Sequence, residues 1–317
     1  MTEALLEARD VVKHFPVRGQ GLFGKRQGTV HAVNGVDLTI DAGETLALIG
    51  ESGCGKTTLG RVLAGLYPPD AGTVRFRGQA VDAKSSIQIV FQDPYASLDP
   101  RMTAGAIIEE PLRIHRVGTR AERRAKVAEL MVAVGLAPAQ VDRYPHEFSG
   151  GQRQRIGVAR ALALEPDLII ADEPVSALDV SIQSQILNLL RDLQDSRGLA
   201  YLFITHDLAV VDFIADRVAV MYLGHIVEIA DREALFEDPR HPYTQALRAA
   251  IPEAGRGRRR HPALPGEVPS PLNPPTGCPF HTRCPKAEDS CRALRPFLEP
   301  IAPGADHLVA CPLAAPR

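Results

Sequence analysis

Residues 50–58 read Gly50-Glu51-Ser52-Gly53-Cys54-Gly55-Lys56-Thr57-Thr58, the phosphate-cradling loop G-x-x-x-x-G-K-[ST] with one extra glycine inside. Glycines let a backbone curl until the N–H groups of Gly50, Ser52, Gly53, Cys54 and Gly55 point at phosphate oxygens. Lys56 brings a point charge to the β- and γ-phosphates. The Thr57 hydroxyl, with Thr58 beside it at the same helix start, can ligate Mg²⁺. The flanks are the required ones: a short apolar run over residues 45–49 before the loop, and Leu59, Val62, Leu63 and Leu66 at helical spacing after it.

A phosphate loop alone leaves the reaction open. Asp172 and Glu173 close the apolar run 168–171 and place two carboxylates at its C-terminal tip, where open α/β sheets bind ligands. Asp172 suits Mg²⁺, and Glu173 can polarise an attacking water. A strand-ending Asp-Glu-Pro turn is the plainer reading of the same three residues. Farther upstream, Phe148-Ser149-Gly150-Gly151-Gln152 precedes a helix with Ile156, Ala159 and Leu162 on one face. That is a second anion cradle without side-chain bulk. One chain holding one nucleotide has little use for it, unless it serves the nucleotide of a partner subunit.

Strands must alternate with helices to hold these loops. Residues 87–91 are a strand-like run, and the continuous apolar runs at 168–171 and 201–205 suit strands buried on both faces of a parallel sheet. Ile182, Ile186, Leu189, Leu190 and Leu193 mark an amphipathic helix between the last two. Thr119 and Glu122 form a capping-box signature opening a helix with Val127, Leu130, Met131 and Val134 inward and Gly135 as its stop. The fold class is therefore α/β, with a mostly helical stretch from about 94 to 160 interrupting the alternation.

Composition bounds the rest. The 317 residues carry 36 Lys+Arg against 38 Asp+Glu, a net charge of −2, so no whole-chain basic bias points to nucleic acid or an acidic membrane. Met1-Thr2-Glu3 lacks the order of a signal peptide, and no apolar run approaches a membrane span; a soluble, cytosolic chain is expected. Four of the five cysteines (Cys278, Cys284, Cys291, Cys311) and more than half of the 26 prolines fall in the last quarter of the chain. This shift sets a boundary near residue 251, giving a main domain over 1–251 and a Pro/Cys-rich region over 252–317, joined by a basic, solvated connector at 256–260. The spacing C-x5-C-x6-C-x19-C matches neither zinc ribbons nor the ferredoxin run. Disulfides are disfavoured in a reducing cytosol, and a metal staple is the reading favoured by a chain too proline-rich to build a core. His281 and His307 are substitute ligands of lower rank.

In order, the phosphate loop, Gln92, Phe148–Gln152, Asp172-Glu173, Ser176-Ala177-Leu178-Asp179 and His206 resemble the nucleotide-binding subunit of an ABC transporter. The resemblance covers residues 5 to about 250; Phe148 stands where the family usually has Leu. It implies a P-loop NTPase (RecA-like) core with an N-terminal antiparallel β subdomain and a helical subdomain, and two subunits closing head to tail. Each ATP then lies between one phosphate loop and the opposite Ser149-Gly150-Gly151-Gln152. By the same similarity Gln92 senses the γ-phosphate and Mg²⁺, His206 holds the γ-phosphate and organises the water, and Asp179 lies at the dimer seam. Phe15 looks like the aromatic that stacks on adenine, with a core phenylalanine as the alternative. Of the other histidines, His31, His115, His146 and His225 read as structural, as do Met102, Met131 and Met221.

The insertion at 17–28, the run Val90-Phe91-Gln92-Asp93-Pro94-Tyr95, and Gly277-Cys278-Pro279-Phe280 with Arg283-Cys284-Pro285 look like the oligopeptide/dipeptide importer ATPases, especially the second of their two non-identical ATPase subunits. That resemblance implies a second ATPase subunit, two permease subunits and an extracytoplasmic peptide-binding protein, with this chain on the cytoplasmic face of the membrane. Related importer ATPases carry an iron–sulfur cluster on such a tail, so [4Fe–4S] on the four cysteines is the expectation, with zinc or unliganded thiols as alternatives. Two rival functions stand beside this one: a soluble ABC-type ATPase acting on nucleic acid or ribosomes, and a regulatory iron–sulfur module with incidental ATPase activity. The first rival usually has two nucleotide domains or a long coiled-coil insertion, and this sequence has neither.

Overall fold

The structure is a computed structural model and describes residues 4–18, 26–81, 86–250 and 266–314. The centre of the insertion at 19–25 and the basic run at 256–260 lie outside the described residues. The chain forms two compact units, one comprising Met1–Asp41, Thr45–Ala83 and Ile204–Arg317, the other Ala42–Glu44 and Lys84–Phe203.

In the first unit, β1 (Leu6–Arg18) and β2 (Arg26–Ile40) pair antiparallel. The chain then enters β3 (Thr45–Ile49), turns through the glycine loop into α1 (Lys56–Leu63), and returns by β4 (Ala71–Phe76) and β5 (Gln79–Ala80). Strands β2-β1-β4-β5 make one antiparallel sheet. β3 is buried at every residue, as a strand covered on both faces must be. Helix α1 is shorter than its apolar spacing predicts: it stops at Leu63, Gly65 turns left-handed at φ 72°, and Leu66 is 55% exposed.

The second unit carries β6 (Ile87–Val90), α2 (Pro94–Ser97), α3 (Ala104–Ile114), α4 (Arg120–Ala133), α5 (Gly150–Leu162), β7 (Leu168–Asp172), α6 (Val180–Arg197) and β8 (Ala200–Thr205), whose last two residues pass into the first unit. β6 runs parallel to β7 in the order β8-β7-β6. The box expected at α4 is present: the Thr119 hydroxyl accepts from the Glu122 N–H and the Glu122 carboxylate from the Thr119 N–H. α6 buries Ile186, Leu187, Leu189, Leu190 and Leu193 and ends at a left-handed Gly198.

Back in the first unit, α7 (Leu208–Ile214), β9 (Arg217–Tyr222), β10 (His225–Asp231), α8 (Arg232–Glu237) and α9 (Pro242–Ala249) follow. The C-terminal stretch adds α10 (Asp289–Ala293), β11 (Glu299–Pro300) and β12 (Leu308–Val309). β9 lies parallel to β3, and β10, β12 and β11 extend the sheet antiparallel from it. The proline-rich tail therefore packs as an edge of this unit. Phe280, Cys278 and Cys291 join Ile49, Val220, Tyr222 and Tyr243 in one buried cluster. The rings of Tyr222, Tyr243 and Phe280 meet pairwise at 4.7 to 5.4 Å. A second tie is a hydrogen-bond cluster: Glu228 on β10, wholly buried, meets His307 Nε2 at 2.7 Å and accepts the N–H groups of Arg240 and His241 at 2.7 and 3.0 Å. No helix among the described residues is long and apolar enough to cross a membrane.

Candidate active site

The glycine loop owes its shape to backbone conformations and contacts that exclude side chains. A Cβ on Gly50 (φ 154°) would sit 2.1 Å from the Met221 carbonyl oxygen, and one on Gly55 (φ 111°) equally close to that of Ala32. Neither position admits another residue without moving backbone. Gly55 also opens α1 with no side-chain cap, which leaves the helix's first N–H groups and its positive end facing the loop. The Lys56 ammonium, 5% exposed, donates to the carbonyls of Gly50 and Glu51 at 2.7 and 3.0 Å. Cys54 is buried beneath it, and burial pushes that thiol up against the pull of the Lys56 charge. Ser52, Gly53, Thr57 and Thr58 complete the turn and the helix start.

Outside the motif, Glu51 is anchored from far along the chain. Its carboxylate takes two hydrogen bonds from Arg283, at 2.6 and 3.1 Å, and its N–H donates to the Tyr243 hydroxyl at 2.8 Å. Burial holds the Tyr243 phenol well above its ordinary value, so it stays neutral. Sequence reasoning passed over Glu51, Tyr243 and Arg283. The motif leaves the position of Glu51 free, and the Glu51–Arg283 pair is separated by 232 residues. The one local signal was an arginine beside Cys284.

The same unit holds His206 and Phe15. His206 is exposed just after β8, where Thr205 Oγ1 accepts the Asp207 N–H at 3.1 Å and Asp207 caps α7. Phe15 is half-buried on β1, edge-on to Tyr67 at 5.6 Å with the Lys13 ammonium 5.6 Å from its ring centre.

In the second unit β7 delivers Asp172, 7% exposed, and then Glu173. Glu173 adopts φ 47°, a left-handed conformation rare for a side chain of this size. Its carbonyl is held by the N–H and hydroxyl of Ser176. The Gln92 amide donates to the Glu173 carboxylate at 2.8 Å, so two residues 81 positions apart meet at the strand end. Asp179 is exposed at the start of α6 and makes no capping bond with its side chain.

The second cradle opens α5. Ser149 and Gln152 form a reciprocal capping box, and Phe148 is 3% exposed. The two glycines differ in what they do. A Cβ on Gly150 would meet only Leu178, at 3.4 Å, whereas one on Gly151 would strike Ile182 of α6 at 2.4 Å. Gly151 is thus a packing glycine.

In the tail, Cys278, Cys284, Cys291 and Cys311 are free thiols. The Cys278 N–H donates to the Cys291 carbonyl at 2.8 Å. Burial pushes Cys278 up to about 11, and the other three cysteines add to the rise. Cys311 is raised too, by burial first and then by Cys284 and Cys291. Among the described residues no group of three or more His, Cys, Asp or Glu side chains is gathered as one metal ion requires. The candidate substitute ligands are engaged elsewhere, His281 Nδ1 with the Cys278 carbonyl oxygen and His307 with Glu228.

A strand, a glycine loop with its lysine on carbonyls, and a second strand ending in Asp-Glu define a P-loop nucleoside triphosphatase. Comparison with known proteins narrows the class. A family model described as ABC transporter matches residues 33–176, and one described as the oligopeptide/dipeptide transporter C-terminal region matches residues 227–291. The chain is 52% identical to the oligopeptide transport ATP-binding protein AppF of Bacillus subtilis (strain 168), over 98% of each chain. It is 51% identical to the dipeptide transport ATP-binding protein DppF of Haemophilus influenzae, over 97% of this chain and 96% of that one. Among solved structures, cbiO1 of Clostridium perfringens, part of the ABC transporter complex cbiONQ, is similar with a TM-score of 0.63 at 26% identity, covering 75% of this chain and 92% of that one. The ATP-binding cassette MJ0796, in a dimeric post-hydrolysis state bound to ADP and Pi, gives 0.62 at 29% identity, covering 72% of this chain and 98% of that one. The chain belongs to the ABC transporter ATP-binding proteins, in their oligopeptide/dipeptide branch. It is an ATPase.

Proposed function

We propose that the chain is the ATP-hydrolysing, energy-coupling subunit of an importer for di- or oligopeptides. In this reading residues 1–251 are the nucleotide-binding domain, with a helical subdomain at about 94–160, and residues 252–317 are its cysteine-bearing extension. The carrying observation is the Gln92–Glu173 hydrogen bond. It ties the loop that reports to the permease to the carboxylate that orients the attacking water. While the amide holds that carboxylate, water activation is restrained; release of Gln92 toward bound ATP frees it. Lys56 exchanges its carbonyl partners for phosphate oxygens, and His206 steadies the γ-phosphate and the water. Phe15 stacks on adenine. Ser149, Gly150, Gly151 and Gln152 cover the nucleotide of a second ATPase subunit, with Asp179 at the seam.

The oxygen donors of Thr57, Gln92 and Asp172 suit a hard cation, and these residues would hold Mg²⁺, which neutralises charge on the phosphates. Glu173 then acts as the base, taking up the proton of the attacking water as the terminal phosphate departs from ADP.

The partners that follow are a second ATPase subunit, two permease subunits and, indirectly, an extracytoplasmic peptide-binding protein, which places the chain at the cytoplasmic face of the membrane. A mild-detergent pull-down of tagged Glu173→Gln protein with ATP tests this. Permease subunits and a second ATPase should co-purify; ribosomes or nucleic acid without a membrane protein would overturn the reading.

For the tail we infer an iron–sulfur cluster on Cys278, Cys284, Cys291 and Cys311. The crowding of four cysteines into the last 40 residues and the likeness of residues 227–291 to the oligopeptide/dipeptide transporter C-terminal region support this reading. Iron and acid-labile sulfide should be present in anaerobically purified protein and lost in Cys284→Ser. Zinc without iron would retire the cluster.

A further inference from the structure

The arm of the tail that carries the cysteines also reaches the ATP site. Arg283 is 6% exposed and grips both carboxylate oxygens of Glu51 in a fork, at 2.6 and 3.1 Å. Its Nη1 lies 3.5 Å from the Tyr222 hydroxyl, and the guanidinium carbon is 5.9 Å from that ring's centre. Glu51 is the second residue of the glycine loop. Its carbonyl accepts from the Lys56 ammonium at 3.0 Å and from the Cys54 N–H at 3.3 Å, and its own N–H is held by Tyr243. The loop is therefore fixed at one residue from three sides, by Arg283, by Tyr243 and by Lys56. Tyr243 and Phe280, in contact at 5.4 Å, tie two of these supports into one aromatic cluster.

We propose that Arg283 is a positioning residue for ATP binding: through Glu51 it holds the loop in the curl that the phosphates need. A bidentate fork fixes orientation as well as distance, which a lysine at the same place would not. Because Glu51 sits among the phosphate-facing N–H groups, loss of the fork lets those groups and the Lys56 perch drift, and the cost falls on nucleotide capture. The reacting water is positioned by other residues, so turnover at saturation is spared. The inference concerns the ATP site and does not depend on what the cysteines hold.

The test is steady-state ATP hydrolysis by the full complex, together with binding of a fluorescent ATP analogue to the full chain. Arg283→Met should raise the KM for ATP about tenfold, within the usual range of coupling between linked sites, while kcat stays within about twofold. Glu51→Gln, which breaks the pair from the loop side and leaves the tail untouched, should give the same rise. The double variant should be no worse than either single one, as expected of two residues acting through one contact. Arg283→Lys should fall between wild type and Arg283→Met. An unchanged KM in both single variants, or independent losses that multiply in the double, would overturn the proposal. So would a lower melting temperature with unchanged nucleotide affinity, which would make Arg283 an anchor of the tail alone.

Discussion

Lys56 shows how one side chain is prepared for its task. An ammonium has three donors and no acceptor, and nearly buried it would be costly without partners. Two loop carbonyls take it up. Phosphate oxygens are better acceptors for the same charge, so the exchange favours nucleotide. Lys56→Ala removes both the perch and the charge, and ATP turnover should fall by about 100-fold or more, measured as phosphate release. Normal turnover in that variant would remove Lys56 from the site. Glu173 is held differently: a left-handed backbone and the Gln92 amide help aim its carboxylate. Strain of this kind persists only where surrounding structure fixes it.

At the scale of elements, the phosphate loop is made by β3 and α1, and the second cradle by the contact of α5 with α6. Gly151→Ala would bring a methyl group against Ile182, 2.4 Å away, and force the two helices apart. The expected loss is about 1–3 kcal/mol, read as a lower melting temperature; no change would show that the helices give way freely. This contact marks the limit of what the sequence states. The glycines of 50–55, the Asp172-Glu173 strand end and the Thr119–Glu122 box were all legible, because each is local and each has one dominant physical use. The packing duty of Gly151, the meeting of Gln92 with Glu173, and the Arg283 fork on Glu51 were not. All three pair residues far apart in the chain, and neither partner's neighbours carry a pattern that names the other. The apolar spacing carries helix α1 three residues too far, to Leu66, because that leucine continues the pattern past the left-handed Gly65, where backbone geometry overrides periodicity.

Over the whole molecule, the tail is sewn to the nucleotide-binding body by the Arg283–Glu51 ion pair, by the His307–Glu228 hydrogen bond and by a shared aromatic core. Buried histidines make this unit acid-sensitive. Burial lowers His241 to about 4, with Glu228 pulling the other way, and lowers His225 to about 4 with Arg295 adding to the fall. The unfolded chain therefore binds more protons than the folded one below its ordinary histidine value. Their stabilisation is complete above about pH 6.5 and is lost as pH falls toward 4, by roughly 3 kcal/mol for His241. Melting temperature should decline steadily from pH 7 to pH 5 and decline less in His241→Asn; a flat profile would refute the assignment.

In the proposed function, ATP turnover at Glu173 drives peptides across a membrane. This is tested most directly by uptake of a labelled peptide into proteoliposomes holding the full complex with its binding protein. Wild-type protein should accumulate peptide only when ATP is supplied on the side of this subunit, and Glu173→Gln, still binding ATP, should accumulate none. Equal uptake with and without a working Glu173 would contradict the account.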